Sequence, residues 1–188
     1  MIFLKKTLLI LLLISTSSVQ ATEVKVAVAS NFYKPMQQLA KQFFDKTGNE
    51  VIVSAGSTGA LYAQIKNGAP FDLFLAADQR RPKALEDENQ AVKDSRFTYA
   101  QGQLAFWSTQ PGYSSEESFQ DALSKVEHIA IANPKNAPYG AAAIDVIKKL
   151  GVYQQAQPKI VEGHNIGQTY QYVSSETVTC GLVALSQV

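Results

Sequence analysis

The sequence has a single cysteine, Cys180, and only two histidines, His128 and His164. One cysteine excludes a disulfide framework and a cysteine-based metal site. Because the cysteine lies in the apolar segment 178–183, we predict a small buried hydrophobic side chain rather than a reactive thiol. No acidic cluster stands beside either histidine, so we expect both at surface or edge positions. We predict no site that binds a metal cation directly.

Long apolar runs are also missing, apart from residues 8–14. That run is far shorter than the roughly 20 residues that span a bilayer. Lys5 and Lys6 precede it and small residues follow it up to Ala21, which is the pattern of a cleaved secretory signal. We therefore predict a signal peptide at 1–21 and an exported, soluble mature protein.

Neither sign of charge is in excess. The whole chain has a formal net charge of +1, which falls to about −1 when Lys5 and Lys6 leave with the signal peptide. A nearly neutral protein lacks the basic surface that nucleic-acid binding needs, so we expect no nucleic-acid partner.

Catalytic motifs are absent as well. The sequence shows no Ser-His-Asp set, no carboxylate pair with obvious partners and no dinucleotide fingerprint. Gly56 and Gly59 form a Gly-x-x-Gly turn, but it lacks the lysine of a phosphate-binding P-loop. These absences predict that the protein is not an enzyme and uses no cofactor.

Residues 51–78 carry the pattern of a β-α-β unit. Its predicted parts are a buried strand at 51–53, a polar turn at 54–59, a helix at 60–66 and a second strand at 73–75. Continuously apolar strands favour a parallel sheet covered on both faces, with a ligand beyond the strand carboxyl ends. Ser57 and Thr58 lie there, at a helix N-terminus that attracts anions.

Similar junctions follow three other strands. Ser30 and Asn31 separate a strand at 24–29 from an amphipathic helix at 32–46. Two more turns, at 133–140 and 163–167, precede helices at 141–150 and 168–173. First-turn amides have no intrahelical acceptor, so free N–H groups are expected at four positions: Tyr139, Gly140, Ala141 and Ile166. Taken singly, each polar residue could be only a helix cap.

The remaining segments are predicted from their patterns. The helix at 32–46 has an apolar face and is closed by Gly48; the face consists of Met36, Leu39, Ala40, Phe43 and Phe44. The other predictions are a solvated charged segment at 79–96 with a helix near 82–88, an extended run at 99–107, a polar loop at 111–117, a short helix at 118–124, and strands at 128–132, 159–161 and 178–185.

Together the four turns supply hydroxyl and amide donors, but no carboxylate and no cationic side chain. Such a set suits an oxyanion that carries no proton at neutral pH, such as molybdate, tungstate or sulfate. Phosphate fits less well because it keeps a proton and requires an acceptor.

Six motifs are distributed along the chain: Val-Ala-Ser-Asn-Phe at 28–32, Gly-Ser-Thr-Gly at 56–59, Asn-Gly-Ala-Pro-Phe-Asp at 67–72, Ala-Ala-Asp-Gln at 76–79, Asn-Pro-x-x-x-Pro-Tyr-Gly at 133–140 and Gly-Leu-Val-Ala-Leu-Ser-Gln at 181–187. With these motifs the chain closely resembles the periplasmic molybdate-binding proteins of ABC transporters, the ModA family, over nearly all of residues 22–188. The resemblance implies an α/β, two-lobed type II periplasmic-binding-protein fold with the ligand in the interlobe cleft. Lobe I would be residues 22–100 and lobe II residues 101–188.

The same resemblance implies a periplasmic receptor, expected to be monomeric, that passes molybdate or tungstate to an inner-membrane permease. It assigns hydroxyl or amide donors to six ligand-binding positions: Ser30, Asn31, Ser57, Thr58, Tyr139 and Ile166. Some members have a further tyrosine where this chain has Ala184, and Asn31 or Tyr139 would then make up the donor count.

Family members also continue beyond the position of Val188, with a return strand and a closing helix on lobe I. The resemblance therefore implies a C-terminally truncated chain that is less stable than a full-length relative. Alternatives to a molybdate receptor are a receptor for sulfate, iron(III) or a small organic acid, a periplasmic enzyme, and a non-transport sensor on the same fold.

Overall fold

The computed structural model describes residues 23–111, 113 and 119–188. The predicted signal peptide and most of the predicted loop at 111–117 lie outside these residues. Among the residues that are described, no helix combines the length and the apolar character needed to cross a membrane.

The described residues form seven strands and seven α-helices. The strands are β1 (Val24–Ala29), β2 (Val51–Gly56), β3 (Leu73–Leu75), β4 (Leu104–Trp107), β5 (Ile129–Ala132), β6 (Ile160–Gly163) and β7 (Cys180–Ala184). The helices are α1 (Tyr33–Thr47), α2 (Thr58–Lys66), α3 (Arg80–Asp87), α4 (Phe119–Lys125), α5 (Pro138–Lys149), α6 (Tyr153–Ala156) and α7 (Ile166–Ser174). Short 3₁₀ turns lie at Ser30–Phe32, Gln157–Lys159 and Leu185–Gln187.

The first sheet has the order β2-β1-β3 and is parallel throughout, as predicted. This sheet and helices α1 to α3 are called the N-terminal half below. The central strand β1 is buried, but the prediction that the strand at 51–53 is buried was wrong. Ile52 is 39% exposed and Leu73 is 48% exposed because β2 and β3 are the two edges of a narrow sheet. An apolar run therefore did not distinguish a central strand from an edge strand.

The second sheet has the order β4-β7-β5-β6, and β4 is antiparallel to β7 while the other pairs are parallel. This sheet and helices α4 to α7 are called the C-terminal half. All four residues of β5 are buried, and Ile129 and Ile131 pack with Ile147 of α5 in the largest apolar cluster. Of the run predicted as extended at 99–107, only Leu104–Trp107 forms a strand.

Helix α1 presents a wider apolar stripe than its sheet covers. Met36 is buried against Val26 and Val28, whereas Leu39, Phe43 and Phe44, on the same predicted apolar face, are exposed. Three strands offer too narrow a surface for the whole stripe. Gly48 does close the helix as predicted: its φ is 72°, and its N–H donates to the Phe44 carbonyl at 2.8 Å.

Cys180 is fully buried, as predicted, and both histidines are exposed. Burial raises the pKa of the Cys180 thiol to about 11, so very little reactive thiolate forms near neutral pH. We expect an aromatic disulfide reagent to leave the native protein unlabelled and to label one thiol after denaturation. Absorbance measures the labelling, and rapid labelling of the native protein would contradict the burial of Cys180.

Candidate functional site

One cavity lies between the two halves and contains about 180 Å³ of empty space, part of it open to solvent. Its lining residues are Ala29, Ser30, Asn31, Gly56, Ser57, Thr58, Ala77, Ala137, Pro138, Tyr139 and Ile166. All six residues predicted from the sequence are among them. The structure thus brings together four turns, of which the first and the last lie more than a hundred residues apart in the chain.

The pairing of β1 with β2 places the first two turns side by side. Ala29 is in register with Gly56, so both parallel strands end at the same sheet edge. There the Ser30 hydroxyl donates to the Gly56 carbonyl at 3.0 Å. A hydroxyl has one proton, so Ser30 must rotate before it can donate to a guest in the cavity.

Ser57 and Thr58 keep their hydroxyl protons available. Ser57 is the N-cap of α2, and its Oγ accepts from the Ala60 amide at 3.3 Å. Thr58 is 1% exposed, and its Oγ1 accepts from the Ala77 amide at 3.0 Å. Both oxygens accept from the backbone, which leaves each O–H free to donate into the cavity. Because Ser57 caps the helix, α2 begins two residues earlier than predicted.

The C-terminal half contributes two helix starts. Tyr139 follows Pro138 in the first turn of α5, and Ile166 is the first residue of α7. Amides at such positions have no intrahelical acceptor, and the helix dipole gives this end partial positive charge. The prediction of free amides at Gly140 and Ala141 was wrong, because both donate to the Ala137 carbonyl, at 3.0 and 3.1 Å. Asn165 caps α7, since its Oδ1 accepts from the Gln168 amide at 3.0 Å.

Asn31 has a buried side-chain oxygen, Oδ1, that lacks a hydrogen-bond partner among the described residues. Buried polar atoms are nearly always paired, so an orphaned atom at a cavity indicates that a guest or water completes it. The same amide carries two N–H donors. An unprotonated oxyanion has no proton to donate to this oxygen, so binding one here requires the Asn31 amide to turn by 180°, which exchanges Oδ1 for the Nδ2 donor.

Two features around the cavity were not predicted. Ala77 follows β3, the third strand that ends at this edge, and its amide orients Thr58; an alanine in an apolar stretch carries no signal of that role. Ala184 packs with Ala132, Ala137 and Ile166 behind the helix starts. Its methyl group supports these turns and adds no hydroxyl to the site.

None of the lining residues is ionisable except the tyrosine, but a charge pair lies next to the cavity. Arg81 is only 9% exposed, so the prediction that the charges of 79–96 form a solvated face was wrong here. Its Nη1 contacts Asp78 Oδ2 at 2.5 Å, and its Nη2 donates to the Lys135 carbonyl at 3.1 Å. Pairing with Asp78 is what permits the burial of this guanidinium.

Burial raises the pKa of Tyr139 and of Tyr99, and the proximity of Tyr139 raises the Tyr99 pKa further. In the unfolded chain both phenols ionise at about pH 10, whereas in the folded protein they remain protonated at that pH. The two phenols should therefore leave the free energy of unfolding unchanged below about pH 10. Above that pH they should lower it progressively.

Urea unfolding over a series of alkaline pH values measures this decline. The Tyr99→Phe variant removes one of the two phenols, so its slope against pH should be shallower than that of the wild type. Because the variant also loses the bond from the Tyr99 hydroxyl to the Ala76 carbonyl, slopes are compared rather than absolute values. An unchanged slope would contradict the role of Tyr99.

Residues 24–188 match the family described as bacterial extracellular solute-binding protein. The ModA molybdate-binding protein of Azotobacter vinelandii is 51% identical over 169 residues, which cover 90% of this chain and 67% of that protein. This chain belongs to the ModA family of bacterial extracellular solute-binding proteins. The ModA protein of Rhodobacter capsulatus is 46% identical over 170 residues, covering 89% of this chain and 66% of that protein.

Among solved structures, the periplasmic molybdate-binding protein of Azotobacter vinelandii superposes with a TM-score of 0.82 at 42% identity. The match covers 88% of this chain and 72% of that chain. The predicted periplasmic-binding-protein fold is thereby confirmed. This chain spans about two thirds of the length of the curated relatives it matches.

Proposed function

We propose that the protein is a periplasmic solute-binding protein that captures molybdate, or the closely similar tungstate, for the permease of an ABC transporter. The observation that carries the proposal is the convergence of Ser30, Asn31, Ser57, Thr58, Tyr139 and Ile166 on one cavity. These residues are the proposed ligand-binding set. The names of the two ModA relatives and of the superposed structure support the choice of molybdate.

The chemistry of the cavity suits a doubly negative tetrahedral guest. The cavity is lined by Ser57 and Thr58, whose O–H groups are free, and by Tyr139 and Ile166, whose N–H groups lie in first helical turns. Helix N-termini stabilise anions without a cationic side chain, and weak screening in a cleft strengthens each donor contact.

The proposal assigns the two halves to lobes I and II, residues 22–100 and 101–188, which enclose the ligand between them. It also includes secretion by a cleaved signal peptide at 1–21 and action as a monomer. The role requires no catalytic residue and no cofactor. Iron(III) would require a cluster of tyrosines with a carboxylate or an anion, and the lining residues include one tyrosine, Tyr139, and no carboxylate.

Titration of the mature protein with molybdate, tungstate, sulfate, phosphate and iron(III), followed by thermal unfolding, tests the proposal. A ligand that binds only the native state adds about 2.7 kcal/mol at a hundredfold excess over its Kd. We expect upward shifts with molybdate and tungstate that exceed those with phosphate. A larger shift with sulfate would assign a sulfate receptor, and a shift with iron(III) alone would assign a metal receptor. No shift in a folded sample would reject oxyanion binding.

A further inference from the structure

A second set of contacts joins the two halves beside the cavity, at the start of α2. The Gly59 amide donates to the Asn136 carbonyl at 2.8 Å, and Arg81 Nη2 donates to the Lys135 carbonyl at 3.1 Å. Both acceptors belong to the turn that leads into α5. Neither donor lines the cavity, although Gly59 directly follows Thr58.

Only glycine fits at position 59 while these contacts are made. A Cβ there would lie 2.8 Å from the Asn136 carbonyl oxygen, 2.9 Å from Arg81 Nη2 and 3.0 Å from the Asn136 Cα. The backbone of Gly59 is helical and is not among the positive-φ glycines, so alanine suits α2 itself. The restriction therefore comes from the opposite half of the molecule.

Arg81 shows the same dependence on the opposite half. Its charge is already paired within the N-terminal half, where Asp78 accepts from both the Arg81 side chain and the Arg81 amide. A buried ion pair contributes little net stability, and its better-supported role is to specify one arrangement. Here the spare Nη2 donor reaches a single acceptor across the boundary, and that bond forms only when the halves are together.

We propose that Gly59 and Arg81 form a closure latch on the carbonyl groups of Lys135 and Asn136. The latch sets the population of the closed cleft, and with it the affinity and residence time of the ligand, without touching the ligand. The identity of that ligand rests on the proposed function. The apparent affinity is proportional to the fraction of molecules in the closed form that binds the ligand. A weakened latch therefore lowers the affinity for every ligand by the same factor.

The test compares Gly59→Ala and Arg81→Gln with the wild type, and uses Lys83→Gln as the matched control. Lys83 lies on the same helix as Arg81, but its ion pair with Asp87 is exposed. We expect both latch variants to bind molybdate and tungstate about tenfold more weakly, with faster dissociation in stopped-flow traces. The ratio of the two affinities should stay constant, and Lys83→Gln should bind as the wild type does.

The unliganded Gly59→Ala variant should unfold at or above the wild-type temperature, since alanine is the better helix former. Higher stability together with weaker binding is a combination that a merely structural role would not produce. Unchanged affinity in both variants, or a changed molybdate-to-tungstate ratio, would overturn the latch alone. If the wild type binds no oxyanion, the proposed function fails instead. Equal radii of gyration of wild type and Gly59→Ala in X-ray scattering would then overturn the latch.

Discussion

Replacing Thr58 by valine is expected to weaken molybdate binding by about tenfold to a hundredfold, because a hydrogen bond to a charged group is worth about 1.5–3 kcal/mol. Valine keeps the shape of the buried side chain but removes the O–H donor. It also leaves the Ala77 amide, now bound to Thr58 Oγ1 at 3.0 Å, without its acceptor. We therefore expect the free energy of unfolding to fall by about 1–3 kcal/mol as well.

Titration calorimetry at constant ionic strength measures the first effect, and urea unfolding measures the second. Thr58→Ser is the matched control because it keeps the hydroxyl and loses only a methyl group. It should bind molybdate within a fewfold of the wild type. If valine and serine weakened binding equally, the hydroxyl would not be the group that contacts the anion.

The Gly140→Ala substitution is expected to destabilise the C-terminal half by about 3 kcal/mol or more, the upper end of overpacking effects. A Cβ at this position would lie 2.0 Å from the Ala132 carbonyl oxygen and 2.6 Å from its carbon. That carbonyl ends β5, which is fully buried and held between β6 and β7. The strand cannot retreat without breaking the sheet, so α5 must move.

Urea unfolding measures the loss, and Gly151→Ala is the control. Gly151 has a φ of 72° and no atom within 4 Å of a built Cβ, so alanine there meets only backbone strain of about 1–2 kcal/mol. Gly140→Ala should be clearly more destabilising and should also displace the adjacent Tyr139 amide from the cavity. If the two variants lost equal free energy of unfolding, the start of α5 would be able to move away from β5 at little cost.

Most elements and the four polar turns were predictable because their signals are local, whereas the six candidate site residues within those turns were assigned by the family resemblance. Strand β1 follows an apolar run with the predicted bounds, and Gly48 and Asn165 act as the caps that their residue types favour. Helix starts were predicted late, at 60, 141 and 168, whereas the helices begin at Thr58, Pro138 and Ile166. Polar or proline residues in first turns made these helix ends resemble loops.

The errors concern burial, which depends on what packs against an element. Ile52 lies in an apolar run that predicts a buried strand, yet it is 39% exposed because β2 is an edge of its sheet. Arg81 lies in a charged segment, yet Asp78 and the Lys135 carbonyl enclose it. The contacts of the closure latch could not be predicted for the same reason. Nothing in the residues around Gly59 indicates that Asn136 packs against it.

Which residues could donate hydrogen bonds follows from the amino-acid sequence, since caps, strand ends and first-turn amides depend on interactions among chain neighbours. The tertiary structure alone decided that these four turns meet around one cavity, which strands form the edges and where the buried guanidinium finds its partners. Those outcomes depend on contacts between residues far apart in the chain, and local side-chain preferences carry no information about such contacts.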